Sequence, residues 1–184
     1  MVNAVDDLWY ATPNLKTATS GSTKYLTKAQ AGEYAIYQID VAKSGLYDIS
    51  PIVAAVNESS GGLMLELYVE IDGVRVAEYR ASATDSWTSF AEQTAIAVKL
   101  SEGTHKLRFV WDGVANLSGI KLTPSARLEG DIDGDLDIDE ADIAALRDAI
   151  LAASGDVNIY DLTGEGEIDI CDLVALRNKI YNKS

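Results

Sequence analysis

The sequence has few of the residues from which disulfides and acid–base catalytic sites are usually built. It has one cysteine, Cys171, one histidine, His105, and only 15 lysines and arginines against 29 acidic residues. A single cysteine excludes an internal disulfide. The formal net charge of −14 disfavours nucleic acid and anionic membranes as partners, because both would be repelled. No apolar run approaches the roughly 20 residues that a membrane-spanning helix needs.

The N-terminal residues MVNAVDDLWY lack the basic and apolar segments of a signal peptide. We interpret Met1 as the start of an excised fragment, so a secreted parent protein stays open. Hydrophobic residues make up 47% of the chain, which is enough for a packed core. Fifteen of the 29 acidic residues, but only four of the 15 basic ones, lie from Glu129 onward. The acidic excess therefore belongs to the C-terminal part.

Residues Glu33 to Leu122 alternate between apolar and polar side chains, which is typical of half-buried β-strands. In LMLELYVEIDG the apolar residues fall at 63, 65, 67, 69 and 71, and the Asp72-Gly73 pair then predicts a tight hairpin turn. Further strands are predicted in YAIYQIDV, GLYDIS, TAIAVKL, THKLRFVW and GIKL. Many short strands without helical patterns between them predict a mostly β, jelly-roll-like β-sandwich over residues 1–123.

After the sandwich, Pro124 and its small or polar neighbours predict a linker over residues 124–129. Two segments then align without gaps: DIDGDLDIDEADIAALRDAIL from Asp131 and DLTGEGEIDICDLVALRNKIY from Asp161. Each copy is an acidic loop followed by a helix with one apolar stripe, formed by Ile143, Leu146 and Ile150 or by Leu173, Leu176 and Ile180. The repeat predicts a small all-α module over residues 130–184, in which the two stripes pack together.

The acidic loops have the spacing of a calcium-binding loop, in which oxygen ligands come from positions 1, 3, 5, 7, 9 and 12. The predicted ligands of the first loop are Asp131, Asp133, Asp135, Asp137, Asp139 and Asp142. Those of the second loop are Asp161, Thr163, Glu165, Glu167, Asp169 and Asp172. Each loop therefore predicts one calcium ion.

Each loop departs from the ideal pattern at one position. Position 6, where glycine permits a sharp turn, is Gly166 in the second loop but Leu136 in the first. Thr163 replaces a stronger oxygen ligand at position 3 of the second loop. We therefore expect both sites to be weaker than ideal. The alternative, a solvated acidic segment, does not explain why the charges repeat in register with their helices.

The duplicated loops, each followed by a helix with the pattern D-L/I-x-x-L-R-x-x-I, resemble a dockerin module. The resemblance covers residues 130–184 and implies a partner, the cohesin module of a scaffolding protein. It also implies membership of a secreted, cellulosome-like complex that degrades polysaccharides.

In such modules, recognition residues lie at loop positions 10 and 11, which are Glu140 and Ala141 in the first repeat and Ile170 and Cys171 in the second. Neither pair is the Ser-Thr pair of the best-known dockerin type, so the class of cohesin stays open. Because the repeats differ at these positions, we expect one dominant orientation on the partner. Its centre is predicted at Ile170, Cys171 and Val174, and Arg177 is predicted near the rim.

The N-terminal 123 residues are similar to family 6 and family 35 carbohydrate-binding modules. The resemblance is carried, in this order, by GSTKYLTKAQAGEYAIYQIDVAKSGLYDIS, DSWTSF, LSEGTHKLRF and ANLSGIKL. It implies that aromatic rings stack on sugars of a plant cell-wall or other polysaccharide while an amide binds hydroxyl groups. The residues that match are Tyr25, Trp87 and Asn116. A core role for each ring stays open, because sandwiches bury many aromatic side chains.

Two departures from the family pattern argue against a calcium ion in the sandwich. The family usually opens with an acidic strand that contributes to a structural calcium site, whereas this chain opens with DDLWYATP. Ser118 stands where an aspartate often follows the family's Asn-Leu pair.

The chain offers no evident catalytic constellation. His105 alternates with Leu107 and Phe109, which favours a structural role, and no nucleophile–base pair is evident. The sequence therefore predicts a noncatalytic protein that attaches a polysaccharide to a scaffold. Two alternatives stay open: a sandwich that only supports the dockerin, and the C-terminal tail of a larger glycoside hydrolase.

Overall fold

The computed structural model describes residues 1–56, 65–81, 83–135 and 137–182. Within these ranges the chain forms two compact units. One contains Met1–Lys43, Asp48–Ile96 and Ser101–Thr123, and the other contains Ser44–Tyr47, Ala97–Leu100 and Pro124–Ser184. Residues 63 and 136, which carry predictions above, lie outside the described residues. Among the described helices, none is long and apolar enough to cross a membrane.

The described strands form two sheets, as the alternating sequence predicts. The strands are β1 (Val2–Asn3), β2 (Leu8–Ala11), β3 (Lys16–Ser20), β4 (Thr23–Thr27), β5 (Tyr34–Val41), β6 (Gly45–Ala54), β7 (Leu65–Ile71), β8 (Val74–Ala81), β9 (Ala91–Glu92), β10 (Ile96–Leu100), β11 (Gly103–Trp111) and β12 (Asn116–Pro124). One sheet has the order β10-β6-β12-β4-β3, with β1 added to β12 and β9 to β6, and the other has the order β2-β5-β11-β7-β8.

The predicted hairpin turn between β7 and β8 is confirmed. Ile71 pairs with Val74, so only Asp72 and Gly73 remain in the turn. Their φ angles are 52° and 89°. A type I′ turn, which matches the strand twist, has positive φ at both positions, and this explains the Asp-Gly sequence.

Two buried tyrosines connect the two sheets. Tyr37 of β5 donates its hydroxyl to the carbonyl oxygen of Ala4 at 3.0 Å, and Tyr79 of β8 donates to Ile49 of β6 at 2.6 Å. Burial raises the pKa of both hydroxyls, so both remain protonated donors. Each ring therefore fills the core without leaving an unpaired hydroxyl there.

The C-terminal helices are α1 (Glu140–Leu151), α2 (Val157–Tyr160) and α3 (Ile170–Tyr181). Leu146 and Leu176 are fully buried in one cluster with Ile132. The other stripe residues, together with the loop residues Ile138 and Ile168, pack against this cluster. The predicted packing of one stripe against the other is confirmed. The short helix α2 was not predicted, because four residues show no helical periodicity.

Both long helices begin at an aspartate of the preceding loop. The Asp139 and Asp169 side chains accept the backbone N–H two residues further on. Asp142 and Asp172, at the third helical position, accept the N–H of these capping residues in return. This reciprocal capping box satisfies donors that a helix start would otherwise leave unpaired.

His105 has the structural role that its strand position predicts. Its Nδ1 lies 2.7 Å from Asp72 Oδ2, and its Nε2 lies 2.8 Å from the carbonyl oxygen of Ser101. Both partners are acceptors, so a doubly protonated ring satisfies both contacts. The hydrogen bond to Asp72 raises the pKa of His105, and the Lys106 backbone N–H lowers the pKa of Asp72.

We expect His105 to titrate above its usual pKa of 6.5 and Asp72→Asn to return the midpoint toward that value. The stabilising contribution of His105 is complete below its unfolded pKa and is lost as pH rises through the higher folded value. That of Asp72 is present above its unfolded pKa and is lost as pH falls through its lower folded value. An NMR titration of the single histidine measures the midpoint directly.

The matched control is Asp40→Asn, because Asp40 accepts a hydrogen bond from the neighbouring Thr104 at 2.7 Å and does not contact the ring. This variant should change the midpoint little. A wild-type midpoint at or below 6.5 would contradict the His105–Asp72 contact.

Candidate functional site

The three residues that the resemblance implies for sugar binding come together in the sandwich. Tyr25 lies on β4 and Asn116 begins β12, and these neighbouring strands pair at Leu26 and Leu117. The side-chain amide of Asn116 donates to the carbonyl oxygen of Trp87 at 2.6 Å. Sequence spacing alone could not show this proximity, because Tyr25 and Trp87 are far apart in the chain.

Trp87 lies in a tight turn between β8 and β9. The backbone N–H of Ser89 donates to the carbonyl oxygen of Ser86 at 3.1 Å, and the N–H of Thr88 donates to Ser86 Oγ at 3.3 Å. Trp87 is half-buried. Among the described residues, no lysine or arginine stacks on its ring. A partly accessible indole is the kind of surface on which a sugar ring stacks.

Tyr25 and Asn116 are both buried, with 9% and 6% of their surface exposed. The Tyr25 ring packs against the Phe90 ring at 5.2 Å between centroids. Of the three candidates, Trp87 is therefore the one that offers ring surface to a ligand. The other two make contacts with the segment that carries it.

Two exposed aromatic residues of β2, Trp9 and Tyr10, were not predicted as site residues. Trp9 is 62% and Tyr10 47% exposed. The register of β2 on β5 shifts between Leu8 and Tyr10, and such a bulge allows consecutive side chains to face solvent. Lys106 Nζ lies 5.2 Å from the Trp9 ring centroid. The Trp-Tyr pair is visible in the sequence, but the bulge that exposes both rings is not.

Other rings near this sheet carry stacked cations. The Arg108 guanidinium lies 4.0 Å from the Tyr34 ring centroid and also pairs with Glu70 at 2.8 Å. Arg75 lies 3.6 Å from the Tyr68 ring centroid. A guanidinium over a ring covers the face that a sugar would use, so these tyrosines are less accessible than Trp87 for stacking.

The first acidic loop brings its carboxylates together. Oxygens of Asp131, Asp133 and Asp142 lie within 4.8 Å of one another, and so do oxygens of Asp137, Asp139 and Asp142. Asp131 and Asp142 are 0% and 1% exposed. Converging carboxylate oxygens, partly removed from water, are the donor set that calcium prefers, so these residues fit the ion.

Two pKa values in this loop are raised above their usual range, for different reasons. Loss of hydration raises the pKa of Asp133, and repulsion from Asp135 raises the pKa of Asp137. Asp135 Oδ1 accepts the backbone N–H of Asp137 at 3.0 Å, which keeps the two side chains close. The loop therefore has a fold that favours neutralisation by a cation.

In the second loop, two of the predicted ligands lie close to Thr163. Its hydroxyl lies 3.2 Å from Asp161 Oδ1 and 3.1 Å from Asp172 Oδ1, so the threonine lies between two predicted ligands. Burial alone would raise the pKa of Asp161, but N–H groups of Gly166 and Gly164 donate to its carboxylate and lower it. Gly166 has a φ of 90°, which a side chain would disfavour.

The acidic residues Glu165 and Glu167 at positions 5 and 7 of this loop are exposed. Oxygens of Glu165 and Asp169 lie within 4.8 Å of each other and of the Cys171 sulfur. Calcium prefers oxygen ligands to a thiol, so only the carboxylates of Glu165 and Asp169 in this group are suited to calcium. The second loop thus fits calcium with fewer converging carboxylates than the first.

The predicted partner-binding residues of the second repeat are exposed on α3. Ile170 is 61% and Val174 53% exposed, and Cys171 and Arg177 are also exposed. Burial of apolar side chains of this size against another protein surface is favourable, because it removes them from water.

The equivalent position of the first repeat is polar and already hydrogen-bonded. Glu140 accepts the Tyr181 hydroxyl at 2.7 Å, and this bond raises the pKa of Tyr181. Ala141, beside it, is exposed but offers only a methyl group. The two repeats therefore present different surfaces at the predicted recognition positions.

Ser101, His105 and Asp72 have the residue types of a catalytic triad, but their geometry does not activate the serine. Ser101 Oγ lies 3.4 Å from His105 Nε2, whereas the Ser101 carbonyl oxygen lies closer, at 2.8 Å. Nε2 therefore donates to the carbonyl and cannot accept the hydroxyl proton.

Comparison with known proteins identifies the sandwich. The family model described as "Carbohydrate binding module (family 6)" matches residues 3–124. One similar structure is the C-terminal family 6 module of a marine laminarinase from Zobellia galactanivorans, with 18% identity, a TM-score of 0.59, and coverage of 66% of this chain and 96% of that chain. A comparison with curated proteins gives no match.

Two further structures have the same fold. The family 6 module of Cellvibrio mixtus lichenase 5A, in complex with cellotriose, has 24% identity, a TM-score of 0.57, and coverage of 68% of this chain and 99% of that chain. A family 35 module from Clostridium thermocellum has 16% identity, a TM-score of 0.56, and coverage of 66% and 96%. Because the match to the family model spans more than half of the sequence, the chain belongs, through its β-sandwich, to carbohydrate-binding module family 6.

Proposed function

We propose that this chain is a noncatalytic protein that binds a polysaccharide through its sandwich and a cohesin module through a calcium-loaded dockerin. The observation that carries the proposal is the presence, in one chain, of a family 6 module and two in-register acidic loops whose aspartates cap paired helices. Such a protein acts outside the cell, where polysaccharides and their degrading complexes are found.

Sugar binding is assigned to Trp87, with Tyr25 and Asn116 beside it. The Cellvibrio mixtus module has been solved in complex with cellotriose, which supports a β-linked plant cell-wall polysaccharide as the ligand class for this chain. Stacking on the half-buried indole would bury the apolar face of a sugar ring and leave its hydroxyl groups free to form hydrogen bonds.

A second candidate function is a sandwich that supports the dockerin without binding sugar. Burial of Tyr25 and Asn116 favours it, because neither side chain has free surface comparable to that of Trp87. The third reading, the tail of a glycoside hydrolase, concerns residues beyond this chain. The first reading requires that Trp87 stacks on sugar, and the second does not.

Calcium is assigned to both acidic loops. Asp131, Asp133, Asp135, Asp137 and Asp142 would hold it in the first loop, and Asp161, Thr163, Glu165, Glu167 and Asp172 in the second. The ion would supply positive charge that offsets the mutual repulsion of the loop carboxylates. Because Asp142 and Asp172 also close the capping boxes, ligand geometry and helix start are coupled through the same side chains.

Trp87→Ala should abolish binding of cellohexaose and xylohexaose while changing the melting temperature by no more than a few degrees, because the ring is not in the core. Isothermal titration calorimetry measures binding, and calorimetric unfolding measures stability. Trp9→Ala is the matched control, since Trp9 is an exposed tryptophan of β2. Loss of binding in Trp9→Ala but not in Trp87→Ala would place the sugar on β2, and unfolding of Trp87→Ala would favour the support reading.

Chelation of calcium should lower the helical ellipticity at 222 nm and make residues 130–184 sensitive to protease, leaving the sandwich intact. The physical reason is that the buried aspartates then repel one another without a neutralising ion. Circular dichroism with and without chelator, followed by limited proteolysis and mass spectrometry, tests this. An unchanged spectrum after complete chelation would rule out a calcium-dependent fold.

Asp142→Ala and Asp172→Ala should each reproduce part of this effect, but both also remove a helix cap. The sharper variant is Asp135→Asn, which removes one charge from the first loop and leaves the capping box of Asp139 and Asp142 intact. It should weaken calcium binding by tenfold or more, roughly 1.4 kcal/mol. Asp148→Asn on α1 is the matched control, and equal calcium affinity in both variants would contradict the ligand assignment.

Ile170→Asp should weaken cohesin binding strongly, whereas Glu140→Arg should weaken it little. Burial of Ile170 against a partner contributes on the order of 1.5–3 kcal/mol, while Glu140 would first have to lose water and its bond to Tyr181. Calorimetry with a panel of purified cohesins measures both variants. The reverse pattern would indicate the opposite orientation on the cohesin. If each single variant keeps wild-type affinity and only the double variant loses binding, two equivalent binding modes exist.

A further inference from the structure

The segment that carries Trp87 is attached to the sheet by its two ends. The backbone N–H of Thr84 donates to the carbonyl oxygen of Ala55, just beyond β6. At the other end, β9 pairs with β6 through Glu92 and Ile52. Among the described residues, the backbone–backbone bonds of the intervening 85–90 stretch are confined to the turn itself. Backbone pairing alone therefore does not fix Trp87.

The Thr84 hydroxyl supplies one additional attachment. Its Oγ1 accepts the backbone N–H of Ala55 at 2.9 Å and lies 3.0 Å from two acceptors, the carbonyl oxygens of Ala55 and Ser86. One hydroxyl thus joins the end of β6 to the residue immediately before Trp87. A hydroxyl that both accepts and donates is required, because the contacts include an N–H and carbonyl groups.

Asn116 supplies a second attachment. Its amide donates to the carbonyl oxygen of Trp87, and its side chain is held in place by burial at the start of β12. On the same strand, Ser118 Oγ donates to Ile52 of β6 at 3.2 Å, which ties β12 to the strand that also receives Thr84. A third contact joins the Phe90 ring, at the end of the 85–90 stretch, to the Tyr25 ring of β4.

We propose that Thr84 and Asn116 are positioning residues, which hold the Trp87 turn in the conformation that stacks on sugar. The inference rests on the proposed function of Trp87. A ring fixed before binding loses less conformational entropy when the ligand arrives, so affinity depends on the residues that fix it. The family resemblance implies a direct sugar contact for Asn116, whereas the observed hydrogen bond assigns its amide to the Trp87 backbone.

Thr84→Val and Thr84→Ser form the matched pair for the test, since valine keeps the shape of threonine and serine keeps its hydroxyl. In the full chain with calcium, Thr84→Val should weaken binding of cellohexaose or xylohexaose about tenfold, as expected from the loss of one or two hydrogen bonds. Thr84→Ser should bind within about twofold of wild type. Asn116→Asp, which replaces the donor with an acceptor, should weaken binding at least as much as Thr84→Val.

A second readout reports on the turn without any sugar. The chain has three tryptophans, so 5-fluorotryptophan labelling gives three ¹⁹F NMR lines that single substitutions can assign. Thr84→Val and Asn116→Asp should shift or broaden the Trp87 line and leave those of exposed Trp9 and buried Trp111 in place. A general loss of structure would move the Trp111 line as well.

The outcomes separate this inference from the proposed function. If Trp87→Ala loses binding while Thr84→Val keeps both wild-type affinity and the wild-type Trp87 line, the positioning role is wrong and the sugar site stands. If Trp87→Ala binds both oligosaccharides like wild type, the sugar site is wrong and the inference falls with it. Displacement of the Trp111 line in Thr84→Val and Asn116→Asp would assign both residues to the general stability of the sandwich and overturn the positioning role.

Discussion

The stability of the fold depends on hydrogen-bond partners for the polar groups that folding buries. Among the described residues, every buried side-chain nitrogen and oxygen has a hydrogen-bond partner. An unpaired buried polar group costs about 1–3 kcal/mol, comparable to a large part of the stability of a small domain. In the sandwich the requirement is met by hydroxyl-to-carbonyl bonds such as that of Tyr79. In the C-terminal unit it is met by aspartates that accept backbone N–H groups.

The carboxylate of Asp142 accepts backbone hydrogen bonds from three residues. Its Oδ1 accepts the N–H groups of Ile132 and Asp133 at 2.6 and 3.1 Å, and its Oδ2 accepts that of Asp139 at 2.8 Å. The same side chain therefore closes the loop and begins the helix. Asp172 does the same with Leu162, Thr163 and Asp169, so the sequence repeat is also a repeat of hydrogen bonds. A loop and a helix that share one carboxylate in this way must form together.

Strands and helices with a long periodic pattern, and the Asp-Gly turn, were predictable from the sequence. The directions of side chains in irregular segments were not. The strand β5 and the Asp72-Gly73 turn follow from alternation and backbone preference alone. The strand β3, KTATS, was missed because it has no alternation of large apolar residues. The family resemblance implied Trp87 and Asn116 as residues of one sugar site, but only the fold shows that the Asn116 amide donates to the Trp87 backbone. The exposed Trp9 was missed because a bulge overrides strand parity.

The irregular segments of both units are held by the same kind of contact. A loop has no ladder of backbone hydrogen bonds, so its N–H and carbonyl groups must find side chains or water. In the sandwich, Thr84 and Asn116 satisfy backbone groups of Ala55 and Trp87, and in the acidic loop Asp142 satisfies those of Ile132 and its neighbour. These side chains cannot be exchanged for apolar ones of equal size, because the backbone groups would remain unpaired. The segments proposed to bind ligands thus depend on a few polar side chains that satisfy backbone groups of those segments.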